Sequence, residues 1–381
     1  MKKLVLIAGV LGCIAGSAQA QTNATIYGIV DLGLNFTNNA GGSRAYQMES
    51  GYPSGSRLGV KGKEDLGGGL SAVFQLENGF NADTGGMGQG QRLFGRQAFV
   101  GLSNKQLGTL TMGRQYDSVV DYLGPLTANG NWGGYLFSHP FDNDNTDNSF
   151  RVNNAVKYTS ADYNGFSFGS LAGFGETAGA QRTNLTYSLG VQYVNGPWAV
   201  AAAYMNNRLP GANAIGSIAT NDANFIAEQQ RTAGAGINYI MGNATYGFVY
   251  SNTNFTNPLS SVYVGEITPA LGSLSKLVFN NYEFNAKYQF TPAFSLAAMY
   301  TFTQGKFNTS EANFKPKWHM LGLMADYDLS KRTDIYAQAV YQQVAGSPTG
   351  SVLDSAYIPG ASDVSSAARQ GMLRLGLRHK F

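Results

Sequence analysis

Apolar and polar side chains alternate with a period of two along much of this chain. In Tyr282–Phe290, every second residue is aromatic or alanine, and Glu, Asn, Lys and Gln lie between them. Phe294–Thr303 and Thr186–Tyr193 follow the same alternation. A strand places successive side chains on opposite faces, so the pattern predicts β-strands. After residue 20 the longest apolar run, about Trp198 to Met205, is far shorter than the roughly 20 residues that a membrane-spanning helix needs.

Three features favour a lipid-facing barrel over a soluble β-sandwich, which would also alternate. The polar face of many strands carries charges and amides, the apolar face ends in aromatic residues, and short connections alternate with long ones. An apolar band between aromatic girdles, around a wet interior, is typical of outer-membrane barrels. A closed barrel also leaves no unpaired strand edge in hydrocarbon.

The connections predict the number of strands. Seven tight turns are predicted, at Glu64–Gly69, Ser103–Gly108, Ser160–Gly165, Val194–Pro197, Ile240–Asn243, Phe290–Ala293 and Leu329–Thr333. Eight long polar segments are predicted, near Asn35–Ser56, Gly79–Arg92, Gln115–Phe150, Gly175–Arg182, Asn206–Gln230, Asn252–Asn281, Gln304–Lys317 and Val344–Ala368. They would join sixteen antiparallel strands, with both termini on the short-turn side. A barrel of this size encloses an aqueous channel.

The first twenty residues have the parts of a secretory signal peptide. Lys2 and Lys3 form the charged start, Leu4–Ala15 is apolar, and Ala18–Ala20 is a cleavage site of small residues. Residues 1–20 are therefore predicted to be removed, and residues 21–381 to form a single barrel domain.

The sole cysteine, Cys13, lies in this leader, so no disulfide is expected in the exported chain. An alternative interpretation is a lipoprotein signal acylated at Cys13. It is disfavoured because Leu11 is bulky and the apolar run continues to a better cleavage site.

Composition excludes several classes of protein. Only 13% of the 381 residues are charged and 12% are aromatic, which does not fit a disordered chain. Removal of Lys2 and Lys3 would lower the formal net charge from +3 to +1, which gives no support to a nucleic-acid partner. The three histidines, His139, His319 and His379, are too scattered for a metal motif. No nucleophile elbow or phosphate loop is present, so neither enzyme activity nor a cofactor is expected.

Several segments together resemble the Gram-negative general porins of the betaproteobacterial type. They are Thr25–Asp31, Ser56–Gly67, Phe94–Leu102, Gly113–Tyr116, Leu329–Thr333 and the terminal Phe381. The resemblance implies a homotrimer of 16-stranded barrels in the outer membrane, surrounded by membrane lipid and lipopolysaccharide, with the third loop folded into each pore. It also implies passive diffusion of small hydrophilic solutes.

Strand alternation predicts which basic residues face the lumen. Leu58 and Val60 define the outward face of their strand, so Arg57 and Lys61 should point inward. By the same argument, Arg151 and Lys157 should share the inward face of a later strand.

Arg96 is a less clean case, because it shares its phase with Ala98 and Val100. The resemblance implies that the arginine of this motif faces the pore. Fixed positive charge in a narrow pore attracts anions and opposes cations, so a mild anion preference is predicted. Arg114 has the phase of Leu110 and Met112 and is therefore predicted to face outward, at the trimer interface.

The third loop, Gln115–Phe150, is the predicted pore constriction. Family members set acidic residues of this loop against the arginines, and here Asp121 and Asp117 are the candidates. The stretch Tyr122–Phe141 contains no acid, which weakens the acidic side of the constriction. Near the loop end, the carboxylates of three aspartates are candidate ligands for a structural divalent cation: Asp142, Asp144 and Asp147.

Two alternative functions remain open from the sequence. A substrate-specific channel would be expected to line its lumen with aromatic residues, which here lie mostly on the outward phase. A surface adhesin would act through long external loops, which this chain has.

Overall fold

A computed structural model describes residues 22–381. The signal peptide predicted at residues 1–20 lies outside the described residues. The described part of the chain forms a closed antiparallel barrel, because β1 pairs with the last strand from Ile29–Lys380 to Thr37–Met372. Within residues 22–381, no helix has the length and apolar character needed to cross a membrane.

Sixteen barrel strands are present, as the connections predicted. In chain order they are β1 Thr22–Ala40, β2 Ser43–Ser50 continued by Arg57–Gly67, β3 Leu70–Gly79, β4 Gln97–Asn104, β5 Gly108–Gln115, β6 Val152–Thr159, β7 Phe166–Gly173, β8 Leu185–Asn195, β9 Trp198–Arg208, β10 Gln229–Met241, β11 Ala244–Thr256, β12 Leu274–Thr291, β13 Phe294–Thr309, β14 Pro316–Asp328, β15 Thr333–Gly346 and β16 Arg369–Lys380.

The alternation sorts side chains between lipid and lumen as predicted. On β16, the exposed Leu373, Leu375 and Leu377 face outward, whereas Arg374 is 1% exposed and faces inward. On β1, Leu34 is exposed and Asp31 is fully buried. The apolar surface of this barrel therefore lies on its outside, which is the arrangement that hydrocarbon requires.

All seven predicted short turns join neighbouring strands, and both described ends of the chain lie on that side. The predicted long loop Asn35–Ser56 is wrong. β1 and β2 continue through most of it and meet at Gly41 and Gly42, whose positive φ angles fit a tight turn. Alternation persists there, since Phe36 and Tyr46 pair on the outward face.

The irregular part of that segment interrupts β2 between Ser50 and Arg57. Tyr52, at the centre of the interruption, is 6% exposed and packs edge-to-face on Tyr135 of the third loop. The carbonyl of Tyr52 accepts a 2.8 Å hydrogen bond from the Tyr135 N–H. The interruption therefore turns β2 into a support for the third loop.

At the long-loop end of the barrel, the third loop and residues 347–368 pack against one side of the inner wall. The inward-facing Phe279 and Trp318 are fully buried with Phe141 of the third loop and Tyr357 of residues 347–368. These inward aromatics depart from the prediction that aromatics lie mostly on the outward phase. They are covered by loops, however, so they form a core and do not line the channel.

The remaining elements are short. Helical turns are formed by Val119–Leu123, Gly124–Leu126, Asn129–Gly133, Tyr135–Phe137, Pro140–Asp142 and Val352–Asp354. Three two-residue strands, Phe225–Ile226, Ser260–Ser261 and Gly265–Glu266, form a small separate sheet, and Asn313–Phe314 pairs with the end of β13.

Candidate functional site

The third loop, residues 116–151, is fastened to inward-facing side chains of the barrel wall. Glu283 of β12 accepts hydrogen bonds from the Ala128 N–H at 2.7 Å and from Asn285 Nδ2 at 2.7 Å. His139 lies between two carboxylates, with Nδ1 2.6 Å from Asp144 and Nε2 3.1 Å from Glu283. The side chains of Glu283, Asn285, His139 and Asp144 are all buried, so this part of the loop lies against the inner face of the wall.

The protonation states of His139 and Asp144 follow from their surroundings. Burial alone would lower the pKa of His139, but the carboxylates of Asp144 and Glu283 outweigh it and raise that pKa to about 10. Burial likewise opposes ionisation of Asp144, yet the His139 imidazolium and hydroxyl donors lower its pKa to about 2. His139 is therefore a cation at neutral pH, and it is paired on both sides.

Glycines in the strands let the loop lie close to the wall. A Cβ at Gly190 of β8 would overlap the Tyr122 ring, and a Cβ at Gly322 of β14 would overlap the Phe137 ring. Gly in a strand interior often marks such a close approach. The loop is thus seated by packing as well as by hydrogen bonds.

Opposite the loop, two arginines share one carboxylate on the wall. Arg96 Nε lies 2.7 Å from Glu77 Oε1, and Arg57 Nη1 lies 4.0 Å from the same oxygen. Arg57 Nε also donates to the Gly55 carbonyl at 2.8 Å. Tyr27 donates to the other Glu77 oxygen at 2.7 Å. These contacts hold both guanidinium groups in fixed positions.

Tyr116 joins the third arginine to this group. Its hydroxyl accepts a hydrogen bond from Arg96 Nη2 at 3.1 Å, and the Arg151 guanidinium lies over its ring at 5.8 Å. Arg151 is 6% exposed and forms no ion pair among residues 22–381. Arg57, Arg96 and Arg151, predicted from three separate strands, therefore lie in one cluster.

This cluster borders a cavity of about 690 Å³ between the third loop and the wall. The cavity lining includes six basic residues and two acids, which are Arg57, Arg96, Arg151, Lys287, Arg378 and Lys380 against Asp147 and Asp326. Positive charge is therefore in excess along the open side of the third loop. We refer to it below as the main cavity.

A second cavity, of about 650 Å³, lies among inward-facing residues of β1–β6. Its lining includes Lys61, Lys63 and Lys157 and no acid. Lys157 Nζ is bonded to Asp121 and also donates to the Tyr116 carbonyl at 3.0 Å. Lys61 lies over the Tyr27 ring at 5.1 Å. Asp121 therefore faces a lysine, and the remaining lysines extend the positive lining.

The predicted position of Asp117 in the constriction is wrong. Asp117 is fully buried and accepts hydrogen bonds from the Val119 N–H at 2.7 Å and from Asn145 Nδ2 at 2.7 Å. Burial raises its pKa to about 6. It organises the first turn of the loop and does not face the channel.

The predicted outward position of Arg114 is also wrong. Arg114 is 8% exposed, and its Nη1 lies 2.6 Å from Asp222 of the segment 209–228. Its Nε donates to the Gly95 carbonyl at 2.8 Å. The pairing of β5 with β6 shifts register between Gly113, where φ is +138°, and Gln115. The extra residue of this bulge lies on β6, because Gly113 pairs with Ala155 and Gln115 with Val152. β5 therefore keeps its period of two as far as Arg114, and it is the ion pair with Asp222 at the end of the strand that buries the Arg114 side chain.

Asp142 and Asp144 are engaged by protein donors. Asp142 accepts from the backbone N–H groups of Asp147 and Ser149 at 3.1 Å each, and Asp144 accepts from His139. Their geometry therefore does not favour the divalent cation considered for Asp142, Asp144 and Asp147.

Another trio of carboxylates, Asp326, Asp328 and Asp334, lies close together among the described residues. Arg378 bonds to two of them, at 3.5 Å to Asp326 and 3.0 Å to Asp334. The Arg378 guanidinium already pairs with this group, so the three carboxylates are not free to bind a metal ion.

Sequence reasoning missed two acids beside the arginines. Glu77 lies on the inward phase of β3, opposite Phe74 and Leu76, so its orientation could have been read from the alternation. The sequence predicts for Asp147 only a role as a metal ligand, but Asp147 lines the main cavity with Arg151. Its position depends on the path of the third loop, for which the sequence offers no comparable signal.

Comparisons with known proteins agree with this geometry. The family model of Gram-negative porins matches residues 5–347. The chain is 30% identical to an outer membrane porin of Bordetella pertussis and 28% identical to outer membrane porin protein 32 of Delftia acidovorans, over 100% of each chain. The solved structure of an anion-selective porin from Comamonas acidovorans superimposes with a TM-score of 0.69 at 22% identity, covering 95% of this chain and 100% of that one. This chain belongs to the Gram-negative porin family.

Proposed function

We propose that this porin prefers anions and that the arginine cluster beside the third loop is its selective element. As a Gram-negative porin, the chain is an outer-membrane channel through which small hydrophilic solutes and ions diffuse passively. The observation that carries the anion preference is the excess of basic residues in the main cavity.

The electrostatic argument rests on where the charges are held. Arg57 and Arg96 are fixed by Glu77, Tyr116 and the Gly55 carbonyl, so they cannot fold away from a passing ion. Arginine keeps its charge at any physiological pH. A channel whose lining carries excess charge of one sign, next to low-dielectric walls, concentrates ions of the opposite sign.

The second cavity continues the same field. Lys61 and Lys63 line it without an acid in the lining, so an anion that passes the arginines meets further positive charge. The solved porin from Comamonas acidovorans is described as anion-selective, which supports the proposal for this relative.

We also propose a homotrimer, with the outward face of β3–β6 as the interface between subunits. The outward side chains of these strands include Phe74, Val100, Leu102 and Met112 and carry no charge, since Glu77 and Lys157 point inward. A solved structure of OmpT from Vibrio cholerae with the same fold, at a TM-score of 0.66, is described as a trimer form. Cross-linking of the purified protein tests this proposal.

Charge reversal at the cluster tests the anion preference. In planar bilayers under a salt gradient, the reversal potential of the native channel should indicate anion preference. The triple substitution Arg57→Glu, Arg96→Glu and Arg151→Glu should move it toward cation preference. An unchanged reversal potential in a conducting channel would rule out the cluster as the selective element.

A matched control reverses three basic residues that line neither cavity. Lys105, Arg182 and Lys331 are exposed and lie in turns or loops. Their change to Glu alters the total charge by the same amount, and the reversal potential should stay near the native value. Stepwise conductance in both variants would show that the barrels have formed.

A further inference from the structure

Aromatic side chains line the main cavity together with its basic residues. They are Tyr52, Tyr116, Trp132, Tyr135 and Tyr263. Tyr52 lies in the interruption of β2, Tyr263 lies in the segment 257–273, and the other three lie in the third loop. None of the five is on a barrel strand, so strand alternation could not predict them. The name tyrosine row is used below for Tyr52, Tyr135 and Tyr263.

The tyrosine row is a continuous set of aromatic contacts. The rings of Tyr52 and Tyr135 lie 5.7 Å apart at an angle of 74°, and those of Tyr135 and Tyr263 lie 6.3 Å apart. Both distances fall in the range of favourable aromatic pairs. Tyr135 and Tyr263 are half-buried and line the cavity, so a further flat ring could pack against them from the cavity side.

Contacts with the rest of the barrel hold both ends of the row. The Arg374 guanidinium lies over the Tyr52 ring at 4.1 Å, and the Tyr52 hydroxyl donates to the Gly360 carbonyl at 2.6 Å. At the other end, the Tyr263 hydroxyl lies 2.5 Å from Ser149 Oγ. The rings are therefore ordered before a solute arrives, which lowers the entropic cost of binding one.

Arg151 lies next to this row along the third loop. Ser149, which contacts Tyr263, is two residues before Arg151. Within residues 22–381, Arg151 forms no ion pair, and its Nε has no hydrogen-bond partner although the side chain is 6% exposed. Buried polar groups in proteins are nearly always paired. Arg151 is therefore the arginine of the cluster that is most open to an anion in the cavity.

Two further polar atoms beside the cavity have no partner within the described residues. They are Nε1 of Trp132, a donor, and Oδ1 of Asn148, an acceptor. Trp132 is 7% exposed and Asn148 is 9% exposed. The cavity volume of about 690 Å³ lies within the usual range for small-molecule sites. The main cavity therefore offers a positive charge, aromatic faces and unpaired polar groups to one small solute.

We propose that the main cavity binds small aromatic carboxylates during their passage, with the carboxylate on Arg151 and the ring against Tyr135 and Tyr263. This inference deepens the proposed function, on which it rests, by naming a class of anion. A guanidinium can hold a carboxylate through two parallel hydrogen bonds. A flat ring gains an aromatic contact that a saturated ring of similar size does not. Inorganic anions pass the same arginines without this second contact.

Block of the chloride current in planar bilayers tests the proposal on the native porin. Benzoate and cyclohexanecarboxylate each carry one negative charge and a six-membered ring, but only benzoate has aromatic faces. Benzoate should half-block the single-channel current at a concentration about fivefold lower than cyclohexanecarboxylate. Acetate, which lacks the ring, and benzyl alcohol, which lacks the charge, should each need a concentration about tenfold or more above that of benzoate.

Substitutions in the tyrosine row separate ring recognition from charge. The double substitution Tyr135→Leu and Tyr263→Leu should reduce the fivefold preference for benzoate to about one. The double change to Phe keeps both rings and should keep the preference. Tyr163→Leu is the matched control, because Tyr163 is exposed in a short turn and lines neither cavity, and its preference should equal the native value.

Three results would overturn the proposal. They are equal block of the native channel by benzoate and cyclohexanecarboxylate, a native preference in the double Leu variant, and native block by benzoate in Arg151→Gln. The first comparison uses the native chain alone, so it does not depend on the folding of any variant. The reversal potential in potassium chloride is measured on the same channels. A native channel that prefers chloride but does not distinguish the two rings would overturn this inference alone, whereas a native channel without chloride preference would overturn the proposed function.

Discussion

Arg96 and Glu77 form a 2.7 Å ion pair on the wall that faces the third loop. The same Glu77 oxygen lies 4.0 Å from Arg57, so one carboxylate is shared by two of the three arginines of the cluster. Glu77 therefore reduces the positive field that Arg57 and Arg96 contribute to the main cavity. Removal of one partner should change it measurably.

Glu77→Gln should strengthen the anion preference. The substitution keeps the shape of the side chain and its contact with Tyr27, but it leaves Arg57 and Arg96 without their shared counter-charge. A unit charge about 7 Å from an ion in water changes its energy by about 0.6 kcal/mol, in opposite directions for anions and cations. The two changes add to about 1.2 kcal/mol, so the permeability ratio from reversal potentials should rise by about eightfold.

Glu311→Gln removes the same charge from an exposed loop residue that lines neither cavity. Its permeability ratio should match that of the native channel. A Glu77→Gln channel that became less anion-selective would show that Glu77 acts mainly by holding the arginines in place.

Asp147 should make the anion preference depend on pH near neutrality. Its packed surroundings raise the pKa of Asp147 to about 7, against the opposing attraction of Arg151. Below that pH the carboxyl is neutral, and the main cavity loses one of its two acids. Anion preference should therefore increase as the pH falls from about 8 to about 6, since this interval brackets the titration.

Asp147→Asn provides the test of this assignment. The variant should show the low-pH selectivity of the native channel at every pH between about 6 and 8. Reversal potentials measured across this range would contradict the assignment if the pH response survived in the variant.

Gly322→Val should disturb the seat of the third loop. A branched side chain at this position of β14 would overlap the Phe137 ring, and forcing extra atoms into a packed site costs about 1–3 kcal/mol. The unfolding temperature in detergent should fall, and the single-channel conductance should change. Gly371→Val is the matched control, because a Cβ there meets nothing closer than 3.6 Å.

Most of the fold could be predicted from the alternation along the strands, and the reason is physical. Lipid on one side and water on the other impose a period of two, so Leu58 and Arg57 report their own orientation without any knowledge of their neighbours. The prediction failed at the long-loop ends of strands. The side chain of Arg114, at the end of β5, is held in a buried ion pair with Asp222 of the segment 209–228. After Asn35 the alternation continues through a tight hairpin, in a segment that was predicted to be a loop.

The third loop could not be placed from sequence because it is held by contacts between residues distant along the chain. Ala128 and Glu283 are separated by 155 positions, and Asp117 reaches Asn145 across 28. Neither pair follows from local periodicity. The buried glycines of the wall were the available signal, since Gly190 and Gly322 lie inside strands at the points where the loop packs.

His139→Ala should release the central fastening of the third loop. The variant leaves the Asp144 and Glu283 carboxylates buried without their shared cation, and breaking a buried ion pair from one side costs about 3–5 kcal/mol. Below the ordinary His pKa of about 6.5 the full stabilisation by the raised pKa is present, and it is lost as the pH rises through about 10. The gap in unfolding temperature between native and variant barrels should thus be wide at pH values near 7 and narrow well above 10.

The depressed pKa of Asp144 acts only at the acid end, where its contribution is lost as the pH falls toward about 2. Thermal unfolding in detergent across this range provides the measurement. A gap that stayed constant from neutral to strongly alkaline pH would mean that His139 fastens the loop as a neutral ring, through packing and hydrogen bonds alone.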